Sequence, residues 1–206
     1  MNESRRRLSI VLFEGFELLD VFGPLGLFGM VPETISVELV GPTAGPVRSS
    51  QGTEVLATVG YEDAHLPDIV LVPGGQGTRR AVADRAFLDW LNVWATDAQL
   101  VTSVCTGSAV LAAAGLLDGY RATTNKRAYE WATSHGSSVT WVARARWVED
   151  QNRWTSSGVA AGMDMAAALI ARLCGSEMAD AITKAAELEV QTDPDWDPFA
   201  AVHSPE

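Results

Sequence analysis

Apolar residues along this chain fall into short continuous runs and helical stripes, and the two kinds alternate from end to end. Leu8 to Phe13 is a short apolar run and predicts a strand. Glu14-Gly15-Phe16-Glu17 reads as a turn, and Leu18 to Phe28 predicts the first helix, with Pro24 as a kink or early stop. Ile35 to Val40 alternates as a strand does, and Val47-Arg48-Ser49 and Thr53-Glu54-Val55 flank Gln51-Gly52 as a hairpin. Ile69 to Val72 reads as a buried strand, ended by Pro73-Gly74-Gly75. Arg79 to Ala98 predicts one helix with Phe87, Leu88, Leu91 and Trp94 on one face. A strand, tight turn and helix follow over Leu100 to Leu117, then a short helix over Arg127 to Ser134. Val139 to Val148 and Arg153 to Thr155 predict strands around an Asp150-Gln151-Asn152 turn. Gly162 to Leu173 and Glu177 to Val190 predict helices, and the polar tail from Thr192 predicts irregular structure.

Strands alternating with helices predict an α/β fold with a doubly wound, mainly parallel sheet. No repeat, linker or low-complexity block divides the chain, so a single domain over 1–206 is expected, with its core over about 8–190. In such sheets ligands bind beyond the carboxyl ends of the strands. Three segments fall there: the turn leading to Asp20, the loop Pro73-Gly74-Gly75-Gln76-Gly77, and Cys105-Thr106.

Composition narrows the function classes. The net charge of -11, with no basic patch beyond Arg5-Arg6-Arg7, argues against a nucleic-acid partner. No run of about 18 apolar residues predicts a membrane span. Met1 to Leu8 lacks the apolar middle of a secretory signal, and two cysteines make no disulfide framework, so a reducing cytoplasm is expected. His65, His135 and His203 are scattered and show no metal-ligand spacing, so no metal is expected.

Cys105 carries the chemistry. The run Leu100-Val101-Thr102-Ser103-Val104 reads as a buried strand that stops at Cys105, and Thr106-Gly107-Ser108-Ala109 opens a helix at once. A nucleophile needs such a turn: the side chain stands above the sheet, and small neighbours let the backbone pass close. The helix start also predicts a lowered thiol pKa. Cys174, late in an apolar helix, reads as core. Asp20 lies in the apolar segment Leu18-Leu19-Asp20-Val21-Phe22, as either a helix-dipole carboxylate or an acid/base beside the thiol. Gly74, Gly75 and Gly77 could offer backbone N–H groups to a developing negative charge. Thr106 and Asn125 could supply polar contacts, or could be a helix-start hydroxyl and a turn residue.

These residues carry a family resemblance. The segments Leu12-Phe13-Glu14-Gly15-Phe16-Glu17-Leu18-Leu19-Asp20, Val72-Pro73-Gly74-Gly75, Ser103-Val104-Cys105-Thr106-Gly107-Ser108 and Thr155-Ser156-Ser157-Gly158-Val159-Ala160-Ala161-Gly162-Met163-Asp164 resemble the ThiJ/PfpI superfamily. The resemblance implies the class I glutamine amidotransferase-like fold, a flavodoxin-like doubly wound sheet. With Ala114-Gly115-Leu116-Leu117-Asp118-Gly119 and Ala122-Thr123-Thr124, the chain looks most like isonitrile (isocyanide) hydratases. That likeness implies Cys105 as nucleophile, a hydrogen bond to it from Asp20, a homodimer, and a small-molecule substrate without metal or organic cofactor. Thr106 stands where relatives with protease, deglycase or glyoxalase activity often have histidine, and Asn125-Lys126 stands where those hydratases have His-Trp. The chain past Val190 is too short for the helix-turn-helix domain of some relatives, so a transcription factor is not expected. Other expected classes are a glyoxalase-like or amidohydrolase-like enzyme, and a sensor whose Cys105 is oxidised to sulfinate.

Overall fold

A computed structural model describes residues 5–203 of the chain. The first four residues of the segment read as lacking a secretory signal, and the last three of the polar tail, lie outside the described residues. In chain order the elements are β1 (Arg6–Val11), α1 (Leu18–Phe28), β2 (Ile35–Gly41), β3 (Gly45–Arg48), β4 (Glu54–Ala57), β5 (Val59–Gly60) and β6 (Ile69–Val72). Then come α2 (Thr78–Ala81), α3 (Arg85–Ala95), β7 (Leu100–Ser103), α4 (Gly107–Ala113), β8 (Arg121–Ala122) and α5 (Tyr129–Thr133). The chain continues through β9 (Thr140–Trp141), β10 (Trp147–Asp150), β11 (Arg153–Ser156), α6 (Ala161–Cys174), α7 (Ser176–Ala185) and α8 (Ala200–His203).

Seven strands form one sheet in the order β10-β11-β7-β6-β1-β2-β5. Every neighbouring pair in it is parallel except β10 with β11. Parallel strands covered on both faces read as unbroken apolar runs, and β6 is one, with all four residues buried. The central strands β1, β6, β7 and β11 share a direction, so their carboxyl ends release four loops on one side of the sheet. Those loops build the site.

The sheet is the doubly wound, mainly parallel one the sequence predicts, and several element bounds differ for local reasons. Arg79 to Ala98 is not one helix. Asp84 is extended, and its side chain accepts the Phe87 N–H at 3.1 Å, so a new helix starts there and α2 is cut off from α3. Pro24 does not stop α1, because its buried face, with Val21, Leu27 and Phe28, holds the helix onto the core. The run from Val139 to Val148 splits into β9 and β10 because backbone groups between them are engaged elsewhere. The Ala145 carbonyl takes the Lys126 ammonium at 2.7 Å, and the Arg146 N–H reaches the Pro194 carbonyl at 2.7 Å. α4 ends at Ala113, before a left-handed Gly115 (φ 78°), and α7 ends at Ala185, before a left-handed Glu187 (φ 51°). The tail is irregular except for the single turn of α8.

Candidate active site

Cys105 sits between β7 and α4 with φ 58°, in the left-handed region that a residue with a side chain rarely adopts. Such a conformation costs about 1–3 kcal/mol and persists only where its surroundings over-determine it. Here they do. The Cys105 N–H lies 3.2 Å from the Ser156 carbonyl and 3.1 Å from that of Ser157. Its own carbonyl accepts the Ser108 hydroxyl at 3.0 Å and the Thr124 hydroxyl at 3.1 Å. Gly107 completes the turn: a Cβ there would run into the Val72 carbonyl oxygen, so only glycine lets α4 start this close to β6.

Asp20 lies in the first turn of α1 and is fully buried. Its Oδ2 accepts the Gly74 N–H at 2.8 Å, while Oδ1 is buried without a hydrogen-bond partner. The Cys105 thiol lies close enough to interact with the carboxyl. Burial pushes the Asp20 pKa up to about 8, and the Glu17 charge adds to the rise against the Gly74 N–H and the thiol. Near neutral pH this carboxyl therefore holds its proton.

The thiol departs from the expectation of a lowered pKa. Burial pushes Cys105 upward, and the negative form of Asp20 pushes it further. The N–H groups of Thr106 and Val159 and the Thr106 hydroxyl favour the thiolate, but desolvation outweighs them. The resting site is a neutral thiol beside a neutral acid. Cys174 is also free, and it is half-buried at the end of α6, packed against the edge of the core.

The glycine loop plays a different part from the one expected. The Gly74 N–H is taken by Asp20, and the Gly75 N–H reaches the Thr106 hydroxyl oxygen at 3.2 Å. The Gly77 N–H is spent on the Gly15 carbonyl at 2.9 Å. None of the three is free to receive an anion, because the loop packs directly on the α1 entry and the elbow. Gly77 instead borders a separate cavity of about 730 Å³ beside Phe13, Tyr61, Phe87 and Trp90.

Cys105, Thr106, Gly75 and Asn125 share a cavity of about 350 Å³. The Asn125 Oδ1 accepts the Ala128 N–H at 2.9 Å, and its amide nitrogen lies against Gly158, where any Cβ would overlap it. Val159, Glu17, Arg79 and Arg127, which carry no signal of a site in the sequence, also line this cavity. Val159 acts through its main chain, which leaves no side-chain signal, although its segment is part of the family resemblance. Arg79 and Arg127 read in sequence as ordinary helix-start charges.

Fold and site together define a flavodoxin-like α/β protein with a cysteine on a strained strand-to-helix elbow. The model of the DJ-1/PfpI family matches residues 6–172, and the chain belongs to that family. It is 36% identical over 176 residues to an isonitrile hydratase of Pseudomonas putida, covering 85% of this chain and 75% of that enzyme. It is 30% identical over 190 residues to the HTH-type transcriptional regulator GbdR of Pseudomonas aeruginosa, covering 89% of this chain and about half (51%) of the regulator. Among solved structures, a ThiJ/PfpI family protein from Pseudomonas syringae superposes with a TM-score of 0.85 at 28% identity, over 99% of this chain and 83% of that one. The family is the one read from the four sequence segments. Among the described residues, no helix is long and apolar enough to cross a membrane.

Proposed function

We propose that the chain is a cysteine-dependent hydratase that converts small organic isonitriles to N-substituted formamides. The observation that carries this reading is the pairing of Cys105 with an acid that keeps its proton near neutral pH. An isonitrile offers a terminal carbon that must gain both a nucleophile and a proton. A neutral thiol and a neutral Asp20 supply both.

In the first step the Cys105 sulfur bonds to the isonitrile carbon, Asp20 delivers a proton to that carbon, and the thiol proton replaces the one Asp20 gave. The product is a thioimidate, R–N=CH–S–Cys105. Water then adds its oxygen to the same carbon, with Asp20 relaying a water proton to the nitrogen. Collapse forms the C=O bond, breaks the C–S bond and returns the hydroxyl proton to sulfur, so that R–NH–CHO leaves and the thiol is restored. As charge builds on sulfur, the Thr106 and Val159 N–H groups and the Thr106 hydroxyl stabilise it.

In this reading Cys105, Asp20 and Thr106 do the chemistry. Gly74 and Gly75 position Asp20 and Thr106, and Asn125 borders the substrate. The enzyme works in a reducing cytoplasm, where both thiols stay free. It works as a homodimer, for which the half-exposed Leu19 and Phe22 of α1 offer apolar surface. A sensor thiol needs an exposed, acidic cysteine, and burial of Cys105 counts against that role. The test is incubation with cyclohexyl isonitrile and with a panel of aldehydes and amides, with products read by mass spectrometry. N-cyclohexylformamide, absent with Cys105→Ser, is the expected result. Turnover of an aldehyde or amide with no formamide would overturn the reading.

A further inference from the structure

We propose that the substrate carries a negatively charged group, in the simplest case a carboxylate, seated between the guanidinium groups of Arg79 and Arg127. This rests on the hydratase reading, and names within it a class of small isonitriles bearing an acid.

The cavity at Cys105 is an exception to the electrostatics of the molecule. The chain has 26 acidic residues against 15 Lys and Arg, yet two arginines and a single glutamate line this cavity. The glutamate, Glu17, is engaged: its Oε1 accepts the Gln51 side-chain amide at 2.6 Å. Asp20, behind the cysteine, keeps its proton near neutral pH and does not offset the arginines.

Among the described residues, neither guanidinium group forms an ion pair. Among the described residues only Arg85, Arg146 and Arg172 pair with a carboxylate, so what sets Arg79 and Arg127 apart is their place on the wall of the Cys105 cavity. The two come from different walls, Arg79 from α2 behind the glycine loop and Arg127 from the turn before α5. Arg79 is held by its side chain, and Arg127 by the turn that carries it. The Arg79 guanidinium lies over the Trp131 ring, 4.2 Å from its centroid. A guanidinium held over a ring in this way still has N–H donors at its edge to offer a carboxylate. The turn bearing Arg127 is tied by the Asn125 side chain, which accepts the Ala128 N–H at 2.9 Å.

The rest of the wall argues the same way. Near Cys105 it is made of small or polar residues such as Gly75, Ala128, Val159 and Asn125, with no aromatic ring to bind a bulky apolar group. The aromatic residues gather instead around the separate, larger cavity.

The experiment compares isocyanoacetate with its neutral methyl ester on the full chain. It also measures, by calorimetry, binding of N-formylglycine and of its methyl ester. Isocyanoacetate should be hydrated with a kcat/KM about 10- to 100-fold above the ester, the gap lying mainly in KM, as expected for one charge-assisted contact. In Arg79→Gln and Arg127→Gln the ratio should fall toward one, and Arg79→Lys should restore part of it. N-formylglycine should bind more tightly than its ester, again dependent on both arginines. Hydration of both isonitriles at equal efficiency, or a preference that survives both arginine changes, would overturn the proposal and leave the hydratase reading standing. If no isonitrile is hydrated while N-formylglycine binds in an arginine-dependent way, the hydratase reading falls and the anion subsite stands. If N-formylglycine binds no better than its ester, the subsite falls.

Discussion

Asp20, whose carboxyl interacts with the Cys105 thiol, holds the Gly74 N–H at 2.8 Å through one oxygen, and its other oxygen is buried without a hydrogen-bond partner. A buried carboxyl half-satisfied in this way is stable when protonated and costly when charged. That relationship joins the glycine loop to Cys105, and under the proposed function it predicts how activity and stability respond to pH.

Replacing Asp20 with Asn keeps the acceptor for Gly74 and removes the transferable proton. Turnover should fall by about 10²–10⁴-fold, with Asp20→Glu retaining more. Stability should move in the opposite sense. The folded pKa of about 8 lies above the ordinary 3.8, so the folded protein holds an extra proton between these values. The stability this group contributes is full below about pH 4 and is lost as pH rises through about 8. Asp20→Asn should therefore match wild type in stability at pH 4 and exceed it at pH 9, by an amount on the order of a few kcal/mol. Thermal unfolding of the two proteins across this range is the check, and a difference that does not grow with pH would contradict it. Comparing the pair also cancels Lys126, whose lowered pKa of about 8 favours stability at higher pH.

Cys105→Ser should abolish turnover with little change in melting temperature, because the strained backbone is held by main-chain and hydroxyl contacts, not by sulfur. Cys174→Ser should retain most activity. In wild type, iodoacetamide should label Cys105 slowly at pH 7 and faster as pH rises, because burial holds the thiol neutral. Peptide mass spectrometry reads both sites at once. Fast, pH-independent labelling of Cys105 would show a thiolate and contradict the neutral pair.

Gly74 has room for no side chain. A Cβ there would meet the Thr106 nitrogen and hydroxyl oxygen at 2.7 Å and Asp20 Oδ2 at 2.8 Å. Gly74→Ala should cost about 1–3 kcal/mol of stability, as overpacking does, and should lower kcat more than it raises KM by displacing Asp20 and Thr106. Unchanged kcat in a folded Gly74→Ala protein would separate this loop from the chemistry.

Some of this was legible in the residues alone. β6 reads directly from Ile69 to Val72 because all four side chains are buried, and a fully buried strand shows no alternation to confuse. The elbow reads from a β-branched run meeting Cys105 and Gly107, since only small residues allow that approach. Asp20 stands out as a carboxylate in an apolar run. What stayed hidden depends on tertiary packing. Where the Gly74, Gly75 and Gly77 N–H groups go is decided by segments far away in sequence. The direction of the thiol shift is decided by burial, which local context does not reveal. Arg79 and Arg127 gain meaning only because the fold brings two short, separate turns to one cavity.

The tail after α7 is fastened by buried charge, and Arg146 is the fastener. Its Nη2 lies 2.7 Å from Asp164 Oδ2, and its Nη1 lies 3.8 Å from Asp197 Oδ1 in the tail. Asp164 Oδ1 in turn accepts the Gln191 N–H at 2.9 Å, and the Arg146 N–H donates to the Pro194 carbonyl at 2.7 Å. The same arginine reaches the elbow: its carbonyl accepts the Ser157 N–H at 2.8 Å, and the Ser157 carbonyl accepts the Cys105 N–H at 3.1 Å. Arg146→Met would leave Asp164 without its cation and Asp197 with only the charge of Lys126, and Asp197 Oδ2 already lacks a hydrogen-bond partner. Breaking a buried pair from one side costs about 3–5 kcal/mol. The variant should lose stability on that scale, and hydrogen exchange should show the Gln191 and Asp197 amides losing protection before those of β6. Asp197→Asn should cost less, because Arg146 keeps its closer partner Asp164. Tail amides as protected in Arg146→Met as in wild type would show that the apolar contacts of the tail hold it down, and that the buried charges only accompany them.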